Sequence, residues 1–501
     1  MNTESAPVLF IGIDGGEPAL IHRWIEEDIL PNLARLYRNG LSGDVRTLPG
    51  MGDGATWPTL ITGVNPARHG RYFRIQTPRG SYQPRLFETD RDLAAHPFWN
   101  ALSDAGRRVA ILDLPYAPGT ESINGTLLTD WLIHDRYGSP RSFPSGFAAE
   151  VIRKYGDDPV NGNSDIIGKS AERLKWLHDQ LIRRVEMKER MVADVIAKGP
   201  WNFIATSFTE PHDLGHVAWH LHDPGDRRHD SSWAERFGDP LKNLYIAIDE
   251  AIGRLVAGAG QSATVVVFAG LGMGPNYTAN GLMDRILVRL EGKEHLRRSQ
   301  IAKSLIKAKW PRILIKTARK IDRILTQRRY AGRRYFNLTH NENSGAIRVN
   351  LQGRELRGIV KPEELDAVCR ELTDAFMELR DPVTHIPIVK EVVRVTDQPE
   401  YTGPMLDILP DLFVVWNREA PFDGVESARI GRIDGARSWG RTGDHTPNAM
   451  IIAQGPGLPP GRLQSIPQVM DIAPTLAALC GVRLGSTDGS PITEIAEASS
   501  R

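Results

Sequence analysis

The chain has 501 residues, with 62 basic and 61 acidic side chains and 41% hydrophobic residues. The length is enough for one large core or two to three domains, and the balanced composition is that of an ordinary soluble globular protein, with no basis for specific nucleic-acid binding. Two cysteines, Cys369 and Cys480, do not suggest a disulfide framework. The start, "MNTESAPVLFIGIDGG", has no basic leader region, and Asp14 interrupts its apolar run. Neither a signal peptide nor an 18-residue apolar span is read, so a cytoplasmic setting is expected.

In chain order, Val8 to Ile13 reads as a strand. "LPNLARLYRNG" is helical, with Pro31 near its start and Gly40 as its stop. "RVAILD" is a strand ending at Asp113, and residues 171–198 form a long charged amphipathic helix. "NFIATSF" is a strand ending near Ser207. "NLYIAIDEAIGRLV" places Tyr245, Ile248, Ile252 and Leu255 on one helix face. "VVVFAGLGMGPN", residues 265–276, is a buried strand entering a glycine-rich turn. "DLFVVW" and "AMIIA" read as two more strands. "VMDIAPTLAALCG" is a terminal helix closed by Gly481 and holding Cys480 in an apolar pattern. Alternation of this kind implies a mostly parallel sheet with helices on both faces.

Residues 297–334 differ in composition. They hold fourteen Lys or Arg and one acid, Asp322, which leaves the rest of the chain near −12. The segment reads either as a solvated charged helical insertion or as a surface for anionic lipid or a polyanionic substrate.

Several strand ends carry chemistry. Asp14 closes the first strand and serves as a ligand or as a turn cap. Thr56, in "GDGATWPTLITGVNPARHG", is placed in a loop just before a helix start, as a nucleophile or an N-cap. "TEPHDLGHVAWHLHD" spaces His212, His216 and His220 at i, i+4, i+8 directly after a strand. On a helix the first two share a face and suit one metal ion. Asp444 and His445 precede another strand, and His445 completes a three-histidine, zinc-type set. "GLGMG" is a poor dinucleotide fingerprint, since Pro275 stands where a helix should open.

The ordered series "IGIDGGEP", "TWPTLITGVNPARHG", "TEPHDLGHVAWH", "VVVFAGLGMGP" and "GDHTPNAMIIAQGPG" resembles the alkaline phosphatase superfamily. Within it the chain is most similar to the type I phosphodiesterase/nucleotide pyrophosphatase branch. The resemblance implies a three-layer α/β sandwich around a mostly parallel sheet, with an inserted cap subdomain. Residues 1–285 and 385–490 would form the core, 286–384 a basic insertion or cap, and 491–501 a tail. It also implies two zinc-like ions about 4 Å apart that clamp both oxygens of an in-line displacement. Asp14 maps to a ligand, Thr56 to the nucleophile, and His212, His216 and His445 to the ligands of the other ion.

One departure stands out. The strand that ends in Ser-Asp-His-Gly in the family reads Ala269-Gly270-Leu271-Gly272 here. The resemblance therefore implies one secure Zn²⁺ site with neutral N₃ ligation, and a second divalent ion reduced to Asp14 and Thr56. Asp213, beside the expected carboxylate position, is an alternative ligand. Arg437, Arg441, Asp130 and His134 are candidate substrate-binding residues. The leading expectation is a phosphodiesterase-like hydrolase of a phosphate ester or anhydride, on a small molecule or a glycan- or lipid-linked substrate. The alternatives are a one-metal hydrolase or transferase of the same fold, and a pseudoenzyme that binds an anion or a partner. The basic run would allow a peripheral contact with an anionic membrane surface.

Overall fold

The computed structural model describes residues 6–119, 122–161, 170–294, 329–340, 343–435 and 440–497. Its main sheet has nine strands. In chain order they are β1 (Val8–Ile13), β2 (Leu41–Asp44), β3 (Val109–Leu112), β4 (Gly125–Thr129), β5 (Arg141–Phe143), β6 (Phe203–Phe208), β7 (Thr264–Gly270), β8 (Ala449–Gln454) and β9 (Gly461–Arg462). Their spatial order is β9-β2-β8-β7-β1-β6-β3-β4-β5. The central five, β7-β1-β6-β3-β4, are all parallel. β8 runs antiparallel against β7 and β2, and β5 antiparallel against β4. The sheet is thus mixed and mostly parallel, as expected.

Successive strand residues point to opposite faces, and both faces are dry. Val8, Phe10, Val109, Ile111, Val266 and Phe268 pack on one side, against the Asp53–Thr62 and Ile472–Leu479 helices. Leu9, Ile11, Ile13, Val265 and Val267 pack on the other. There they meet the Ala171–Ala197, Glu210–His222 and Pro240–Ala259 helices. Tyr245, Ile248, Ile252 and Leu255 all enter that second core. The result is three layers with two apolar interfaces. Cys369 and Cys480 are buried and unpaired.

A smaller antiparallel sheet has its own core. Its strands, in spatial order, are Tyr335–Leu338, Ser344–Val349, Leu412–Trp416 and Val389–Arg394. The Met283–Leu290 and Leu365–Met377 helices pack with it. "DLFVVW" therefore belongs to this sheet and not to the central one. Its alternate residues Leu412 and Val414 face the smaller core, while Phe413 joins the main one. Two of the four strands lie within 286–384 and two follow it. Of the basic run, residues 297–328 lie outside the described residues. Arg333 and Arg334, at its end, are tied to Asp284, Glu291 and Glu371. No helix among the described residues is long and apolar enough to cross a membrane.

One buried ionic cluster fastens the long helix to the strand ends. Arg184 is 1% exposed and holds Asp158 through two nitrogens at 2.7 Å and Asp213 at 2.8 Å. Asp213 is thereby committed away from the ligand role considered for it. Removing the guanidinium leaves two buried carboxylates with a lost partner, a change worth about 3–5 kcal/mol. Arg184→Ala is expected to lower the unfolding free energy by about that amount in urea melts. A loss below about 1 kcal/mol would mean that water already screens the cluster.

Candidate metal centre and cleft

Every element of the site leaves a carboxyl end of the parallel strands or packs on one. Asp14 follows β1, and its backbone N–H donates to Phe208 O at 2.9 Å. The Glu210–His222 helix starts directly after β6, so His212 and His216 sit one turn apart on its inner face. His445 ends the short strand Gly443–His445, which pairs antiparallel with Met273–Pro275, just beyond β7.

His212, His216 and His445 converge, with one ligand atom of each within 4.8 Å of the others. All three are buried. His216 Nδ1 lies 3.0 Å from Gly443 O, and His445 Nδ1 lies 3.3 Å from Gly272 O. A carbonyl only accepts, so each Nδ1 carries the proton and each Nε2 carries the lone pair. Both Nε2 atoms are buried and have no hydrogen-bond partner. Burial pushes the pKa values of His212 and His216 well below the usual histidine range, and lowers that of His445. Neutral rings with oriented, unpartnered nitrogens are what a divalent ion requires.

A second group, Asp14, Asp53, His134 and His212, lies alongside and shares His212. His134 Nδ1 is 3.2 Å from Asp14 Oδ2, and His134 Nε2 is 3.2 Å from Asp53 Oδ2. The His134 and His212 rings stack at 3.7 Å. Burial pushes the Asp14 carboxyl up to about 6, against the pull of His134. Burial also acts to raise Asp53, but the His134 hydrogen bond and the neighbouring histidines hold it well below the carboxylate range. For His134 burial acts downward, yet the two carboxylates prevail and raise it to about 9.

Thr56 lies on the helix that Asp53 opens. The Asp53–Thr62 helix begins at Asp53, with Gly52 as its N-cap, so Thr56 lies within its first turns and not in a preceding loop. Its hydroxyl donates back to Gly52 O at 2.9 Å. Proline is common at the first position of a helix. Pro58 is instead inside the helix. It lacks the N–H that would bond the carbonyl four residues back. That carbonyl, Gly54 O, accepts from Arg71 Nε at 2.6 Å. The helix is repaired by a side chain, and its first residue, Asp53, belongs to the second group.

The surrounding residues aim these groups. Trp57 Nε1 donates to Asp14 Oδ1 at 2.8 Å, which turns Oδ2 toward the histidines. The indole lies so close over β1 that a Cβ on Gly12 would sit 2.4 Å from it. The Tyr116 hydroxyl donates to Asp53 Oδ2 at 3.0 Å, and Arg71 lies 3.8 Å over the Tyr116 ring. His69 bonds Thr59 Oγ1 at 2.9 Å and accepts from Arg71 N, tying the helix to the following turn. Gly272, in the stretch lacking metal-binding side chains, supplies its carbonyl to His445. A Cβ there would meet Glu17 Oε2 at 2.1 Å.

A cleft of about 540 Å³ opens over the clusters, lined in part by His134, His212, His216, Arg74, Arg136 and Arg441. Arg441 is thus at the cleft, 4.0 Å from Asp444. Asp130 is paired with Arg141 at 2.8 Å and is absent from the cleft wall. Arg437 lies outside the described residues. His220 and His222, farther along the helix, bond Thr442 and Asp239 instead. Asp53 was not recognised from sequence. The available signal was its position opening the helix that precedes "TGVNPARHG".

Fold and site together define an α/β protein with a metal-type centre at the carboxyl edge of its sheet. The family model described as type I phosphodiesterase / nucleotide pyrophosphatase matches residues 8–426, and the chain belongs to that family, within the alkaline phosphatase superfamily. No curated protein matches the sequence. Among solved structures, human ectonucleotide pyrophosphatase/phosphodiesterase 5 is similar at 13% identity and a TM-score of 0.50, with 97% of each chain covered. The murine protein of the same name, in an inactive form bound to AMP, is similar at 14% identity and a TM-score of 0.51, again with 97% of each chain covered. At these identities the likeness is one of fold.

His69 links this scaffold to pH. Burial, then the neighbouring Arg71 charge, pushes its pKa down to about 3. An unfolded histidine titrates near 6.5. The contribution is therefore fully present above about pH 6.5 and is lost as pH falls toward 3, at about 1.4 kcal/mol per unit. His69→Gln is expected to remove that much of the slope in urea melts at pH 7, 6 and 5. An unchanged slope would mean that His69 is protonated in the folded state.

Proposed function

We propose that the protein is a metal-dependent hydrolase of phosphate esters or anhydrides, with its ion held by His212, His216 and His445. The observation that carries this reading is the pair of buried Nε2 atoms, each oriented by a backbone carbonyl and each without a partner. When bound, a zinc-type ion there polarises a phosphoryl oxygen and lowers the pKa of a coordinated water. The chain's own residues do the rest. Arg441 at the cleft wall orients the phosphate. The Tyr116 hydroxyl fixes the Asp53 carboxylate beside His134 and His212, where its negative charge would favour a cation at the centre. Thr56, turned back on Gly52, takes no part in this reading. AMP bound to the similar murine protein supports a nucleotide-sized phosphate ligand. The cleft of about 540 Å³ is in the size range of small-molecule pockets.

The test is turnover of an aryl phosphodiester and of a dinucleoside polyphosphate with added Zn²⁺ or Mn²⁺. His216→Ala and Asp53→Asn are each expected to lose at least about 100-fold in kcat/KM. Thr56→Ala should stay within a few-fold of wild type. If Thr56→Ala abolishes turnover while Asp53→Asn keeps it, the threonine is the nucleophile after all. AMP binding without any turnover would instead assign a non-catalytic, ligand-binding role.

A further inference from the structure

The strand end that supplies two metal ligands in this family supplies none here: Gly270 and Leu271 stand in their place. The space beside His212 is nevertheless filled by groups able to bind a cation. Asp14, Asp53 and His134 come from three separate segments: the end of β1, the start of the Asp53–Thr62 helix and the loop after β4. All are buried, His134 being 8% exposed and the two carboxylates no more than 2%.

Their geometry is odd for an ordinary salt-bridge cluster. Asp14 Oδ2 lies 3.2 Å from His134 Nδ1 and 3.1 Å from His212 Nδ1. None of these three buried atoms makes a hydrogen bond. They are close to one another but not aligned as donor and acceptor. Atoms that crowd without bonding suit a shared cation better than one another. Other polar atoms of the group act as supports, and His134 Nε2 meets Asp53 Oδ2 at 3.2 Å. Trp57 takes Asp14 Oδ1, and Tyr116 donates to Asp53 Oδ2. Asp53 also reaches toward the three-histidine centre, with Oδ1 4.0 Å from His445 Nε2 and Oδ2 4.0 Å from His212 Nδ1.

We infer that Asp14, Asp53 and His134 form a second divalent-cation site, bordered by His212, that replaces the ligand pair missing from the end of β7. Two carboxylates and an imidazole suit Mn²⁺ or Zn²⁺. Asp53 stands between the two centres. The site would hold a cation whether or not the protein hydrolyses phosphate esters. It rests on the reading above only for the neighbouring three-histidine centre.

The experiment counts ions. Full-length protein, stripped with chelator and shown folded by circular dichroism, is titrated with Mn²⁺ and with Zn²⁺ by calorimetry, with metal analysis after gel filtration. Wild type is expected to take about two ions per chain. Asp53→Asn and His134→Gln should each take about one, and the exchange-coupled Mn²⁺ resonance signal of wild type should vanish in both. One ion in wild type overturns the site and leaves His134 as a fixed internal cation between two carboxylates. Two ions retained in Asp53→Asn and His134→Gln overturn it as well. Full retention in His216→Gln overturns the three-histidine centre instead, so the two failures are separable.

Discussion

Because β7, β1, β6, β3 and β4 run parallel, the chain leaves all of them on the same side of the sheet. Ile13 lies opposite both Phe208 and Ala269, and Leu112 opposite both Thr206 and Leu128. The strand ends are therefore nearly level, and the loops beyond them open on one shallow crevice. Asp14, His134 and His212 are far apart in sequence, yet each follows one of these ends closely. The antiparallel pair of Met273–Pro275 and Gly443–His445, just beyond β7, then brings His445 to the same crevice. Without common direction and level ends, these residue types would remain dispersed.

Bringing these groups together out of water has a cost. Asp14 Oδ2, His134 Nδ1, His212 Nδ1, His216 Nε2 and His445 Nε2 are all removed from water without hydrogen bonds. Each such atom costs about 1–3 kcal/mol relative to a satisfied one. The well-packed layers on both faces of the sheet offset that cost and keep the groups in place. A bound ion would satisfy several of them at once, and ion binding would then be coupled to folding stability.

Much of this was readable from the sequence. The alternation of apolar runs gave the parallel sheet and its two covering layers, because a strand buried on both faces must be apolar throughout. The spacing of His212 and His216 gave one face of a helix, and His445, placed just before a strand, offered a third histidine that the family resemblance also maps to the ion. What was not readable depended on side chains acting across the fold. That Pro58 sits inside a helix depends on Arg71, which repairs the helix around it. His134 was visible as a candidate for the cleft but not as the partner of two carboxylates, since no periodicity links residues 14, 53 and 134. "DLFVVW" has the pattern of a central strand, and only its pairing partners reveal that it serves another sheet. The glycine-rich end of β7 was legible as a loss of side chains, and not as the source of the carbonyl that orients His445.

The repair at Pro58 reaches further than the helix itself. Gly54 O is open to Arg71 because position 58 has no hydrogen to give it. Arg71, once drawn there, lies flat on Tyr116, and Tyr116 directs its hydroxyl to Asp53. An interruption in one backbone ladder is thus relayed through a cation and a ring to the aim of a carboxylate. The imide nitrogen of a proline, remote from any reacting group, becomes part of the specification of the centre.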